Sequence, residues 1–410
     1  MSWASSVSRR KLIKLAGGAT LLSGGAKILG QSLAAQAATV TLPFENGERP
    51  LVAYPQKRPL IRHTTRPPQL ETPFSVFNEA PITPNDAFFV RYHLTKSPPD
   101  GLDPDTFRLE IAGKVNTPLT LTLQELKRFD AVELVAVNQC SGNGRGFSTP
   151  RVAGGQSGNG NMGNAAWRGV PLKTILDKAG VREGARQATF QGMDTPALDE
   201  TPSFIIALDI DHARDGEVLV AYAMNGEDLP VLNGYPVRLV VPGYYGNYWI
   251  KHLKKIDVID TVFDGFWMKT SYRIPNNPCA CVAPGTKPSS TVPINRLNVR
   301  SFITSHADGT KVASGRPVTI EGIAFDGGYG IAEVSLSTDG GKSWRGTRLG
   351  KDLGKYSFRE WDIEVVLDPG PHSLAARAIN HIGQSQPMEA LWNPSGYMHN
   401  AVEKVNVIAL

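Results

Sequence analysis

In the stretch A-V-N-Q-C-S-G-N-G-R-G-F, residues 136–147, Cys140 stands directly after the apolar run Ala131 to Val137. An apolar run that breaks into a polar, glycine-rich segment predicts a buried strand ending at the cysteine. A cysteine in that place is commonly a small buried hydrophobe. The residues after Cys140 point further: the glycines let backbone approach a bulky ligand, and Arg145, five residues on, favours a thiolate over a thiol. A thiolate is a soft ligand suited to a redox metal. The stretch alone thus leaves a buried thiol and a metal ligand both open.

Outward from it, residues 105–260 mix strand-like and helix-like pieces, which predicts an α+β domain. Phe107 to Val115 alternates as a strand, and Val237 to Val241 is a short apolar run closed by P-G. Pro171 to Gly180 puts Leu172, Ile175, Leu176 and Ala179 on one helical face and stops at a glycine. Upstream, residues 39–84 are proline-rich and read as an extended lead-in. Around residues 275–293 the composition shifts to Pro, Ser, Thr and Cys, as in a linker. Beyond it, short alternating runs such as R-P-V-T-I-E-G-I-A-F and F-R-E-W-D-I-E-V-V-L are separated by D-G-G and D-P-G-P turns. That spacing predicts an all-β immunoglobulin-like sandwich.

The formal charge of +5 does not point to nucleic acid. Residues 1–37 hold Arg9, Arg10, Lys11, Lys14 and Lys27 and no acid, leaving 38 basic and 38 acidic residues in the remainder. A neutral body gives no electrostatic footing for a polyanion. The front itself reads S-R-R-K-L-I-K, then a weakly apolar run, then A-Q-A at Ala35 to Ala37, which is the pattern of a twin-arginine export signal and its cleavage site. The run is interrupted by Lys27 and five glycines, whereas a membrane span needs about 20 continuous apolar residues. The expectation is a protein exported folded to the periplasm, with no membrane span in the mature chain. Export in the folded state is associated with cofactors acquired before export.

Three cysteines cannot all pair within one chain. A bridge between Cys279 and Cys281 would close a tight loop and is not expected; the two read as ordinary linker thiols. No C-x-x-C-H occurs, so covalent c-type haem in this chain is not expected. C-A-C without a nearby histidine or second cysteine pair also serves zinc poorly.

The segment A-V-N-Q-C-S-G-N-G-R, preceded by F-F-V-R-Y-H-L and followed by W-R-G-V-P-L, M-N-G-E-D-L-P, G-Y-P-V-R-L-V-V-P-G-Y-Y-G, W-I-K-H-L and, late in the chain, D-G-G-K-S-W, resembles the sulfite oxidase family of molybdopterin enzymes. The order and spacing match from about residue 70 to the end. The resemblance implies a signal peptide at 1–37, a molybdopterin-binding catalytic domain at 38–284 with the sulfite oxidase fold, and an immunoglobulin-like dimerisation or assembly domain at 285–410. It further implies a molybdenum-molybdopterin cofactor, in mononucleotide form, with Cys140 as metal ligand.

Residue by residue, the resemblance places Phe89, Val90, Arg91, His93, Asp194, Asn233, Arg238, Trp249, Ile250 and Lys251 against the pterin and its phosphate. Tyr272 matches the active-site tyrosine, and Arg91 and Arg145 match arginines facing the substrate, with His93 beside them. Two departures stand out. Asn233 falls where animal members have histidine, and Ser395, in W-N-P-S-G, falls where they have arginine. The anion clamp then has one cation fewer or draws on another residue such as His93. Physically, guanidinium groups suit a compact oxyanion, each charge-assisted hydrogen bond contributing about 1.5–3 kcal/mol. Arg238, in the apolar run P-V-R-L-V-V-P, needs an anionic partner, either a cofactor phosphate or an acid elsewhere in the chain.

The function implied is oxidation of sulfite to sulfate, with electrons passed to an external c-type cytochrome and a possible homodimer through the C-terminal domain. Two alternatives keep the cofactor: a sulfane dehydrogenase of thiosulfate oxidation, and a methionine sulfoxide reductase of the same superfamily. A third reading is an exported binding module without catalysis.

Overall fold

The computed structural model describes residues 38–410, so the expected signal peptide at 1–37 lies outside the described residues. The described chain is mostly β. Only one of its α-helices, Leu172–Ala179, exceeds four residues, so the expected α+β domain is built mainly of sheet. That helix forms where its apolar spacing predicted. Leu172, Ile175, Leu176 and Ala179 are all fully buried, Pro171 enters with an extended backbone, and Gly180, in the left-handed region at φ 72°, ends it. Each buried leucine or isoleucine contributes about 1.5–3 kcal/mol.

Residues 39–84, expected as an extended lead-in, instead pair into a sheet. Thr39–Thr41, Glu48–Tyr54, Lys57–Thr65, Pro68–Glu71 and Val90–Arg91 follow one another in a five-stranded antiparallel order. Proline is accommodated here at a strand start, as Pro68, and, for Pro59, beside the register shift between Glu48–Tyr54 and Lys57–Thr65, so its frequency did not preclude pairing. The consequence for the site is direct: Gln69 opposite Arg91 and Leu70 opposite Val90 fix the segment that carries Arg91 and His93.

Two further sheets complete the first half of the molecule. One orders Ile205–Asp209, Gln187–Gly192, Leu253–Ile259, Leu109–Gly113 and Leu119–Leu121, with its one parallel pairing between Leu253–Ile259 and Leu109–Gly113. The other orders Glu227–Asp228, Leu219–Met224, Met162–Pro171 and Val132–Gln139, with Arg238–Val240 also beside Leu219–Met224. The strand Val132–Gln139 pairs along its whole length with Met162–Pro171, Gln139 lying opposite Met162. Cys140 therefore sits just beyond the last rung.

The expected linker is tied at both ends, because Arg273–Pro275 and Thr291–Pro293 pair as an antiparallel ribbon. A disulfide joins Cys279 to Cys281, contrary to expectation, with Cα atoms 5.1 Å apart. The turn closes because Ala280 between them adopts φ 49°, which folds the two Cβ atoms to the same side. Residues 300–409 form two sheets of four and five strands around their own core of Ile320, Val334, Leu336, Trp361, Leu374 and neighbours. Phe302, Phe325 and Phe358 of this sandwich join the core of the first half, so the two halves share buried surface. Among the described residues no helix is long and apolar enough to cross a membrane.

Candidate active site

The loop after Val132–Gln139 turns at once. The amide of Cys140 donates to Asn161 O at 2.9 Å, extending the ladder by one bond, and Asn143 N then donates back to Cys140 O at 2.9 Å. Gly144 takes φ 82° and opens the single turn Arg145–Phe147. A side chain at Gly144 would meet His399 at 2.9 Å, so both conformation and space require glycine. The thiol of Cys140 is left half-buried at the junction of two connected spaces.

The inner space is lined by Phe89, Arg91, His93, Asp194, Asn233, Arg238, Trp249, Ile250 and Lys251 together with Cys140 and Tyr272. Its charges are unbalanced. Arg238 is 2% exposed; Nη1 and Nη2 donate to the carbonyls of Asn233 and Trp249, Nε has no acceptor, and the guanidinium lies over the rings of Trp167 and Trp249. Burial pulls its pKa down to about 9. Lys251 donates to Arg91 O and lies 3.4 Å from the centre of the Tyr92 ring; burial, then Arg238, hold its pKa well below the usual lysine range. Behind Asn233, Lys57 donates to Phe88 O at 3.0 Å and to Asn233 Oδ1 at 2.6 Å, and burial lowers it to about 7.

Among the described residues none of Lys57, Arg91, Arg238 and Lys251 forms an ion pair with a carboxylate. The acid in the lining, Asp194, accepts from Ser97 at 3.4 Å, and burial raises its pKa. Uncompensated buried cations are costly. Five buried polar atoms without partners lie at the same place: Arg91 Nη1, Arg238 Nε, Asn138 Oδ1, Ser141 Oγ and Asn247 Oδ1. This donor set suits a polyanion joined to a flat, hydrogen-bonding ring, with a single thiolate for a metal. No group of three or more His, Cys, Asp or Glu capable of holding a metal occurs among the described residues, so the thiolate would complete a coordination sphere supplied mainly by the ring group.

The outer space shares Arg91, His93, Cys140, Ser141 and Tyr272 with the inner one. It adds Arg145, Gly154, Gly155, Trp267, Ser271, Ser395 and Tyr397. Arg145 Nε donates to Ser395 O at 2.9 Å and the guanidinium lies 5.0 Å from the centre of the Tyr397 ring. His93 stacks on Phe204 at 3.8 Å and hydrogen-bonds through Nε2 to the Tyr272 hydroxyl. Burial, reinforced by Arg91, drives the His93 pKa well below 6.5, while burial raises that of Tyr272. Both are therefore neutral. His93 cannot stand in as a cation for the arginine replaced by Ser395.

The structure brings together all the sequence-named site residues except one side chain. Val90 points away, into a small core with Leu60, Leu70, Tyr92 and Leu232, so only its backbone is near the site. Strand alternation accounts for it, since Val90 and Arg91 lie on opposite faces. Sequence reasoning missed Lys57, Asn138, Ser141, Phe204, Asn247 and Tyr397. Asn138 carried a signal, being a polar residue at the end of an apolar strand beside Cys140. Lys57, over 80 residues upstream, carried none.

Two family models match the chain: an oxidoreductase molybdopterin binding domain over residues 95–267 and a Mo-co oxidoreductase dimerisation domain over residues 291–409. Mitochondrial sulfite oxidase of Homo sapiens is 32% identical over 370 residues, covering 86% of this chain, which spans 66% of that protein's length. Sulfite oxidase of Gallus gallus is 30% identical over 372 residues, covering 87% of this chain and 80% of the relative. In fold, the chain is similar to the sulfane dehydrogenase SoxCD from Paracoccus pantotrophus, with a TM-score of 0.70 at 24% identity, covering 93% of this chain and 92% of that one.

Proposed function

The chain belongs to the sulfite oxidase family and binds a molybdenum-pterin cofactor, and from that premise we propose that it oxidises sulfite to sulfate and passes the electrons to an external c-type cytochrome. One observation carries the reading: Cys140 stands between an inner space rich in unpaired buried cations and an outer space holding Arg91 and Arg145. The first suits an anionic cofactor and the second a small oxyanion, so cofactor and substrate meet at the thiolate.

In this reading Arg238 and Lys251 bind the cofactor phosphate. Asn233, Asp194, His93, Phe89, Trp249, Ile250 and the backbone at Val90 hold the ring system, and Cys140 ligates the metal. The bound cofactor supplies the two-electron chemistry. Arg91 and Arg145 bind and orient the substrate anion through planar guanidinium donors. Tyr272 is held as a phenol by its buried setting and, with His93 Nε2 donating to its oxygen, offers its own O–H as one hydrogen bond to substrate without adding charge. Trp267, Tyr397 and Phe204 wall the site with aromatic surface and limit water around the anion.

The wider assembly follows the same reading. Residues 291–409, which we take as immunoglobulin-like, are the surface for a homodimer, and the segment 1–37 directs the folded protein to the periplasm, where cytochromes serve as acceptors. A second reading, sulfane dehydrogenase, is favoured by one observation. The outer space is edged by Ala153, Gly154, Gly155, Ser271 and Ser395, small residues that leave room for a substrate larger than sulfite. Turnover of molybdenum-loaded protein with sulfite, with a thiol-bound sulfane and with methionine sulfoxide separates the readings. Sulfite is expected to be the fastest of the three, and turnover of the sulfane alone would replace the first reading with the second.

A further inference from the structure

Glu71 is a buried carboxylate, 1% exposed, that no cofactor or substrate contact uses. Its Oε1 accepts from Gly160 N at 2.9 Å, and its Oε2 accepts from Gly158 N at 3.1 Å. His63, with its side chain 7% exposed, meets Glu71 Oε2 through Nε2 at 2.6 Å. Arg49 Nε lies 3.4 Å from His63 Nδ1. Arginine only donates, so Nδ1 accepts and the ring proton sits on Nε2, directed at Glu71. Arg49 Nη2 also reaches Gln156 O at 3.5 Å. All three residues come from the N-terminal sheet, and the hydrogen bonds that Glu71 and Arg49 make outside that sheet converge on residues 156–160, while Arg49 Nη1 turns back to the carbonyls of Asn46 and Glu48.

The segment 156–160 is the loop running alongside Cys140–Phe147, just before the strand Met162–Pro171. Gly144 N donates to Gly158 O at 2.8 Å, Gly146 N to Ser157 O at 3.0 Å, and Ser157 Oγ to Gly142 O at 3.0 Å. Gln156 Nε2 donates to the carbonyls of Val152 and Gly154, at 2.9 and 2.8 Å, and so sets the start of the same loop. Gly154 lies flat on Arg145: a Cβ there would come within 2.8 Å of Nη1, and one at Gly142 within 2.8 Å of Cζ. The guanidinium is thus confined between two glycine backbones, with Ser395 O and the Tyr397 ring completing its surroundings. Among the described residues its Nη2 has no protein acceptor within this confinement.

We infer that Glu71, fixed by His63 and Arg49, is a positioning residue for Arg145: its carboxylate holds the 154–160 loop against the guanidinium and so sets the direction of the free Nη2 donor. The inference rests on Arg145 binding the substrate anion. In the absence of the Ser395-position arginine, such fixing substitutes orientation for a missing charge. A glutamine at position 71 keeps the shape and one acceptor, but it turns a donor toward one of the two glycine amides, so the loop is released on one side.

The test is calorimetric titration of sulfate, an oxyanion close to substrate in size, into molybdenum-loaded protein. Wild type, Glu71→Gln, Arg145→Gln and the double variant are compared at equal molybdenum content. Glu71→Gln is expected to weaken sulfate about tenfold, and the double variant to bind no more weakly than Arg145→Gln alone. That non-additivity is the signature of action through Arg145, which general loosening of the fold would not produce. Additive losses, or wild-type affinity in Glu71→Gln, overturn the inference, as does a wild type that binds no sulfate. His63→Gln, which keeps a donor at reduced reach, gives the same reading at smaller amplitude if Glu71→Gln does not fold. Wild type that binds sulfate yet fails to oxidise sulfite removes the proposed function and leaves this inference standing.

Discussion

Among the described residues two arginines are buried almost completely, Arg238 and Arg300, and they are buried differently. Arg300 of the sandwich is 1% exposed and pairs with Glu403 at 2.8 Å and Asn159 at 2.7 Å, while lying over Phe302. Arg238 of the inner space is 2% exposed and has two carbonyls, two tryptophan faces and no carboxylate. Both have orphaned nitrogens, so the difference lies in the counter-charge. A charge neutralised within the chain is accounted for by the fold, whereas one left without a partner is open to a ligand, which is the role proposed for Arg238.

The sharpest way to break that contrast is to remove each charge in turn. Arg238→Met is expected to lower retained molybdenum by more than about tenfold while the cofactor-free protein stays as stable or gains stability, because an uncompensated buried charge has gone. Arg300→Met is expected to keep molybdenum and lose about 2 kcal/mol of stability, the moderate value reflecting the partial exposure of Glu403. Metal analysis and denaturant unfolding check both. The opposite assignment of effects would refute the distinction.

A second expectation concerns pH. Lys57 titrates near 7 in the folded protein and near its ordinary value of 10.5 when unfolded. Between those values the unfolded chain binds more protons than the folded one, so stability rises with pH. Cofactor-free protein is expected to gain up to about 1.4 kcal/mol per pH unit from this group between pH 7 and 10. Lys57→Met removes that increment, and the cofactor-loaded protein shows less of it because a nearby anion favours the charged lysine. Urea unfolding across the pH range decides it. A smaller effect belongs to the outer space. Ser395→Arg adds a cation beside Arg145 and is expected to tighten sulfite about threefold to tenfold, with a steeper loss of affinity as salt rises. An unchanged salt dependence would show that position 395 does not face the anion.

Much of this arrangement was legible in the residues, and the exceptions have physical causes. The helix Leu172–Ala179 declared itself by spacing and a terminal glycine, and the strand before Cys140 by its apolar run. The sandwich strands followed from alternation and turn residues. The sheet of residues 39–91 was hidden, because strand pairing between proline-bearing segments depends on partners that local propensity does not report. The Cys279–Cys281 bridge was rejected on loop size, and Ala280 in the left-handed region supplies the conformation that loop size left out. At the site, Cys140, Arg145 and Arg238 could be named from their neighbours in sequence. The neutrality of His93 could not, since it follows from burial and from the nearby charges of Arg91 and Lys251. Lys57 and Glu71 act through contacts more than 80 residues away along the chain and leave no local trace.

The central claim, that Cys140 joins a molybdenum site to an anion site, is tested most directly by sulfite titration of purified protein with cytochrome c as acceptor, alongside a molybdenum assay. The wild type is expected to carry molybdenum near one per chain and to reduce cytochrome c on adding sulfite, and Cys140→Ser to lose that activity by more than about a thousandfold. Molybdenum-loaded wild type that leaves cytochrome c oxidised, or a Cys140→Ser variant of undiminished rate, would contradict it.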